Sequence, residues 1–154
     1  MTLERTQFLC QQTYAALFAL ANKLQVVGDM YLSPQTSRQL MTVLAIAHIP
    51  EGQASLSRIA GKMGTTKQNA RQLVSALEAK GHVRVESSLS DRRSYAVQIT
   101  DHGYQVFKEA LVRGMPFLDE IFHDFSDDEL ETLWALLKKL YRFDGKTHDG
   151  FEEP

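Results

Sequence analysis

The chain has 154 residues, 44% hydrophobic and 23% charged, with a net charge of −2. That much apolar material supports a core and excludes a chain disordered throughout, and the length fits one domain. Glu4, Arg5, Gln11, Gln12, Asn22 and Lys23 interrupt the stretch that a signal peptide would need apolar, and the single cysteine, Cys10, cannot form an internal disulfide; a cytoplasmic protein with no membrane partner is expected.

Residues Leu3 to Val27 lack Gly and Pro, and Cys10, Leu17, Leu20, Leu24 and Val27 recur at helical spacing, so a first helix is predicted to end at Gly28 and Asp29. A second helix is predicted from Ser33 as N-cap, with Pro34 at its first position and Leu40, Val43, Leu44 and Ala47 buried, stopping before Pro50 and Gly52. From Ser55 two short helices follow. The first carries Leu56, Ile59, Ala60 and Met63 on one face and stops at Gly64; the second starts from a Thr cap at Thr66 and ends at Gly81. Ala70, Leu73, Val74 and Leu77 face inward in that second helix, which leaves Lys67, Gln68, Arg71, Gln72 and Ser75 outward. A short helix, a Gly-containing turn and a helix with a polar, basic outer face form a helix-turn-helix.

Two strands, His82 to Glu86 and Ser94 to Ile99, are predicted next, with Val83, Val85, Val97 and Ile99 inward and "SSLSDRR" as the hairpin tip between them. Thr100 is expected to cap a long helix bearing Tyr104, Phe107, Leu111, Met115, Leu118, Ile121 and Phe122 along one side, interrupted near Gly114 and Pro116. Ser126 and Glu129 make a capping box for a last helix with Leu130, Leu133, Trp134, Leu137, Leu140 and Tyr141 on its apolar face. The tail from Asp144 has little to bury and is expected to be disordered. Charge is uneven along the chain. Between Ser55 and Tyr95 eight basic residues stand against three acidic ones, a local balance of +5 that leaves −7 for the rest, as suits a middle segment facing a polyanion.

The run from Ser55 to Gly103, "LSRIAGKMGTTKQNARQLVSALEAKGHV" followed by Asp-Arg-Arg and then "VQITDHG", resembles the winged helix-turn-helix of the MarR family of bacterial transcription regulators. The resemblance implies a mainly α fold with a small β wing (α+β), in which residues 1–33 and 104–144 supply dimerisation helices around a DNA-binding lobe at 34–103, and 145–154 form the tail. It also implies a homodimer on a near-palindromic operator, a repressor released by a small aromatic or phenolic effector or by an oxidative signal. The departures are His82, where an aliphatic residue is usual, and the wing approach, which lacks a Pro.

Lys67, Gln68, Arg71 and Gln72 are the candidates for base edges in a major groove, since Arg pairs bidentately with guanine and Gln with adenine. Thr66 and the free N–H groups behind it suit a phosphate, and Asn69 points more to the side. By resemblance Arg93 enters the minor groove with Asp91 holding its guanidinium, while Arg92 meets a phosphate; an ordinary turn ion pair is the competing reading of Asp91 and Arg93. For the effector, Phe8, Tyr14, Phe18, Tyr31, Arg38 and His48 are candidates that serve equally well as core or hydrogen-bonding residues. Cys10 sits where some members of the family sense oxidants, although its face, shared with Leu17 and Leu24, favours a buried inert thiol. The five His include no pair at i, i+3 or i, i+4, and no hydrolase elbow or phosphate-cradling loop occurs, so no metal, cofactor or enzymatic activity is expected. A winged helix that docks a protein without binding DNA is the alternative function.

Overall fold

Local signals set most of the element boundaries in the computed structural model, which describes residues 2–87, 95–148 and 150–151. Among these, six α-helices and one two-stranded sheet follow in the order α1 (Leu3–Leu32), α2 (Ser37–Ala47), α3 (Leu56–Met63), α4 (Lys67–Ala79), β1 (Val83–Ser87), β2 (Tyr95–Ile99), α5 (Asp101–Phe122) and α6 (Asp127–Tyr141), closed by a 3₁₀ turn at Arg142–Asp144. The mainly helical fold with a small antiparallel wing is the expected one. N-cap side chains start α3 at Ser55, α4 at Thr66, α5 at Thr100 and α6 at Ser126, each accepting from the backbone N–H three residues on; Ser126 and Glu129 complete a capping box. Gly64 and Gly81, both at positive φ, end α3 and follow α4, a conformation that a Cβ would oppose.

Three boundaries differ from expectation. Gly28 does not end the first helix but lies buried inside α1, because neighbouring elements pack directly against it: a Cβ there would stand 2.7 Å from Ser37 Oγ and 3.3 Å from the Phe117 ring. Its neighbour Asp29 accepts from Ser37 N–H at 2.6 Å, so the end of α1 is tied to the start of α2. Helix α2 starts not at Ser33 and Pro34 but from Thr36, whose hydroxyl accepts from Gln39 N–H while the Gln39 side chain returns a bond to the Thr36 backbone. The third difference is in α5, which runs through Gly114 and Pro116 without interruption. Proline there forgoes a single helical bond, and Gly114 lets Leu32 pack against the helix, a Cβ lying only 3.2 Å from Leu32 Cδ2.

The core lies in the winged lobe. Leu32, Leu40, Val43, Ile46, Ile59, Val74, Leu77, Val83, Val97 and Phe107 are buried together. Ala47, expected inside, is exposed, because α2 turns Ala45 and Ile46 inward instead. The strands pair from Val83 with Ile99 to Ser87 with Tyr95, and Val97 N–H donates to Ala54 O at 2.9 Å, which anchors the wing root. Only the root is covered, so Val85 is 39% exposed rather than inward.

The tail is not loose over its described part. Phe151 packs against the core, and His148 and Gly150 contact α3 and α6. Its composition misleads because two aromatic rings suffice to dock it.

Candidate nucleic-acid interface

The helix-turn-helix presents its polar side as its sequence dictates. Ala70, Val74 and Leu77 anchor α4 in the core and Leu73 is half-buried, so Lys67, Gln68, Arg71, Gln72 and Ser75 point to solvent. Among the described residues neither Lys67 nor Arg71 takes part in an ion pair, and both charges are free for an external anion. Thr66 Oγ1 accepts from Asn69 N–H at 3.1 Å, which leaves the hydroxyl proton and the first backbone N–H groups of α4 directed outward. Asn69 is half-buried and donates from Nδ2 to Thr65 Oγ1 at 2.8 Å; it braces the turn rather than joining the exposed row.

Beside this helix the wing begins at β1. Arg84 pairs with Glu86 at 2.6 Å and donates to Gln98 at 3.0 Å, so its charge is spent within the ribbon. Asp91, Arg92 and Arg93 lie outside the described residues.

The joint between α4 and the wing holds His82, a residue 5% exposed whose ring meets Phe107 edge-on at 5.4 Å. Among the described residues its Nδ1 has no hydrogen-bond partner. Burial holds the imidazole below its ordinary pKa, helped by the nearby charges of His102 and Lys80. His82 O accepts from Thr100 N–H at 3.1 Å, and Gly103 lies so close that a Cβ would fall 2.0 Å from that oxygen.

The six effector candidates do not converge. Tyr14 and Phe18 line a cavity of about 480 Å³ with Leu17, Trp134, Leu137 and Tyr141, whereas Tyr31 is occupied elsewhere: its hydroxyl donates to Glu120 at 2.6 Å and its ring stacks on Phe117. The hydrogen bond to Glu120, and the carboxylate charge itself, hold the phenol above its ordinary pKa. His48 bonds Leu44 O through Nδ1 at 2.8 Å, Arg38 donates to Gln25 at 3.1 Å, and Phe8 is exposed. A second cavity of about 560 Å³ between α2 and α5, lined by Leu40, Val43, Leu44, Tyr104 and Leu111, contains none of the six. Cys10 is exposed, not buried, since the N-terminal half of α1 covers no part of the core. The sequence offered no sign of the side chains that lock the lobe to the long helices: Arg113, which donates to Leu32 O and to Gln35 at 2.7 Å, and the aromatic tail.

Residues 32–94 match the model of the MarR family. An uncharacterized HTH-type transcriptional regulator of Bacillus subtilis (strain 168), YfiV, is 32% identical over 118 residues, which span 75% of this chain and 73% of that protein. Among solved structures, CouR from Rhodococcus jostii RHA1 bound to p-coumaroyl-CoA superposes with a TM-score of 0.73 at 20% identity, over 81% of this chain and 88% of CouR. The S. aureus MepR–DNA complex gives a TM-score of 0.71 at 20% identity, over 83% of this chain and 94% of MepR.

Proposed function

The chain belongs to the MarR family, and from that premise we propose that it is a cytoplasmic, homodimeric repressor that binds a near-palindromic operator in double-stranded DNA and leaves it when a small aromatic or phenolic ligand binds. One observation carries the reading: Lys67 and Arg71, in no ion pair among the described residues and flanked by Gln68 and Gln72, on the outward side of a helix pinned through Ala70, Val74 and Leu77. That row suits a major groove, and the N-terminus of α4 suits a phosphate. Support for two copies comes from the apolar residues left exposed on one chain, including Phe18, Leu118, Trp134, Leu137 and Leu140 on α1, α5 and α6. A two-fold dimer presents two recognition helices at half-sites roughly 34 Å apart. MepR in complex with DNA and CouR with its aromatic thioester are the precedents for the two partners. Arg93 is the minor-groove contact in this reading, which assigns to Asp91 the role of holding its guanidinium.

Selection of genomic fragments by the purified protein, followed by titration of the best duplex with wild type and Arg93→Ala at two salt concentrations, tests the proposal. The expected result is a near-palindromic site, with log affinity falling against log salt by about 0.9 per phosphate neutralised, and a clear loss in Arg93→Ala. No enrichment over random DNA, together with an indistinguishable variant, would turn the assignment to a protein-docking module.

A further inference from the structure

The end of α3 leaves carbonyls without intrahelical partners, as at any helix C-terminus. The N–H groups of Gly64 and Thr65 serve Ala60 and Gly61. The carbonyl of Lys62 is met by a side chain from the far end of the chain: His148 Nε2 lies 2.8 Å from it. The other ring nitrogen, Nδ1, accepts from Gly150 N–H at 3.0 Å. With Nδ1 accepting from Gly150, Nε2 is the nitrogen that donates to the Lys62 carbonyl.

Packing reinforces this contact. The Tyr141 ring, at the end of α6, lies 4.7 Å from the His148 ring, and its hydroxyl would stand 3.0 Å from a Cβ on Gly64. Phe151 packs on the winged-lobe core with its ring 5.4 Å from His48, and Lys62 Nζ lies 5.9 Å above the same ring. The tail thus grips the last turn of α3 immediately before the turn into α4.

We infer that the tail is a strap: His148 caps α3 through the Lys62 carbonyl and Phe151 seats it on the lobe, so that α6 holds the recognition helix at one attitude. His148 and Phe151 are positioning residues for DNA reading, and in this they rest on the function proposed above. The physical route is short. Only the Gly64–Thr66 turn separates α3 from α4, and the two helices share Ile59, Ala60, Ala70 and Val74 in one core, so a clamp on the end of α3 is felt at Lys67.

Amide hydrogen exchange on the full-length protein tests the contact without DNA. In His148→Ala and Phe151→Ala, amides from Gly64 to Asn69 are expected to exchange about fivefold faster, as on loss of one helix cap, while those of α5 stay unchanged. His148→Gln, whose amide can still donate to Lys62 O, restores most of the protection. Unchanged exchange in both Ala variants overturns the strap. The positioning role is read on the duplex that wild type selects and on versions with the half-site separation altered by one base pair. The Ala variants are expected to bind the selected duplex several-fold more weakly and to discriminate less against altered separations, whereas a general loss of stability weakens every duplex alike. Faster exchange with unaltered discrimination overturns positioning. If wild type binds no duplex, the DNA reading and the positioning role fall together, and exchange alone decides the strap.

Discussion

Gly103→Ala puts a methyl group 2.0 Å from the carbonyl oxygen of His82, 2.8 Å from its carbon and 3.1 Å from its Cα. All three are backbone atoms, so no flexible side chain can yield, and ordinary contact at 3.4 Å needs the start of α5 and the end of the α4–β1 turn to part by about 1.4 Å. That movement strains the bonds from Thr100 N–H and Oγ1 to His82 O, at 3.1 and 3.2 Å, and from Oγ1 to Gly81 O at 2.6 Å. Losing one or two such bonds costs about 1 kcal/mol each, and overpacking adds about 1–3 kcal/mol. Alanine's better helix propensity returns only about 1 kcal/mol. The net is a destabilisation of about 1–4 kcal/mol, and for a chain of this length each kcal/mol lowers Tm by roughly 2–4 °C. Thermal unfolding followed by circular dichroism at one fixed protein concentration measures it, since association is linked to stability. The control is Gly61→Ala in α3, where a Cβ meets nothing within 4 Å; propensity acts alone there and is expected to raise stability by about 0.5–1 kcal/mol. A Gly103→Ala protein that melts at or above wild type would refute the reasoning, because propensity would then outweigh the clash.

Thr36→Ala is expected to cost about 1 kcal/mol in urea denaturation by removing the α2 capping box, while Ser33→Ala changes little; the reverse order would restore Ser33 as the cap. His82, held neutral in the fold below its unfolded pKa of about 6.5, makes stability full above that value and progressively lost as pH falls through it; His82→Leu should flatten the dependence of Tm on pH between about 7 and 5. Arg71→Ala should weaken binding to the selected duplex by about 1–3 kcal/mol if it reads a base, and lower the salt slope if it meets a phosphate; equal affinity and slope in variant and wild type would remove Arg71 from the interface. Asn69→Ala, by contrast, should act through loss of its bond to Thr65 and lower stability more than it alters base preference.

Where a signal is local, the chain announced it. Thr66, Thr100 and Ser126 each cap a helix through a bond spanning three residues, and Gly64 and Gly81 take backbone conformations that few other residues tolerate. The outward row on α4 was legible for the same reason, since helical periodicity alone separates it from Ala70 and Leu77. Gly28 misled because a helix-breaking residue was read without the tertiary neighbours, Ser37 and Phe117, that require it. At the start of α2 two rules competed: Ser33 before Pro34 fits one, Thr36 with Gln39 fits the other, and the reciprocal capping box won. The bond from His148 to Lys62 spans 86 residues and leaves no periodic trace. Neither did the cavities: each is lined by distant helices, which is why six plausible aromatic and basic candidates scattered rather than converged.

Helix α1 continues through Gly28 as one rod of 30 residues, about 45 Å long. At Gly28 the helix lies close against Ser37 of α2 and Phe117 of α5, while Leu3 lies about 38 Å away along the axis. That makes the helix a lever with its fulcrum near one end. A tilt of only about 5° there sweeps the Leu3 end through about 3 Å, on the order of one base-pair rise. The angular tolerance at a single glycine therefore governs how far the free end of α1 can swing.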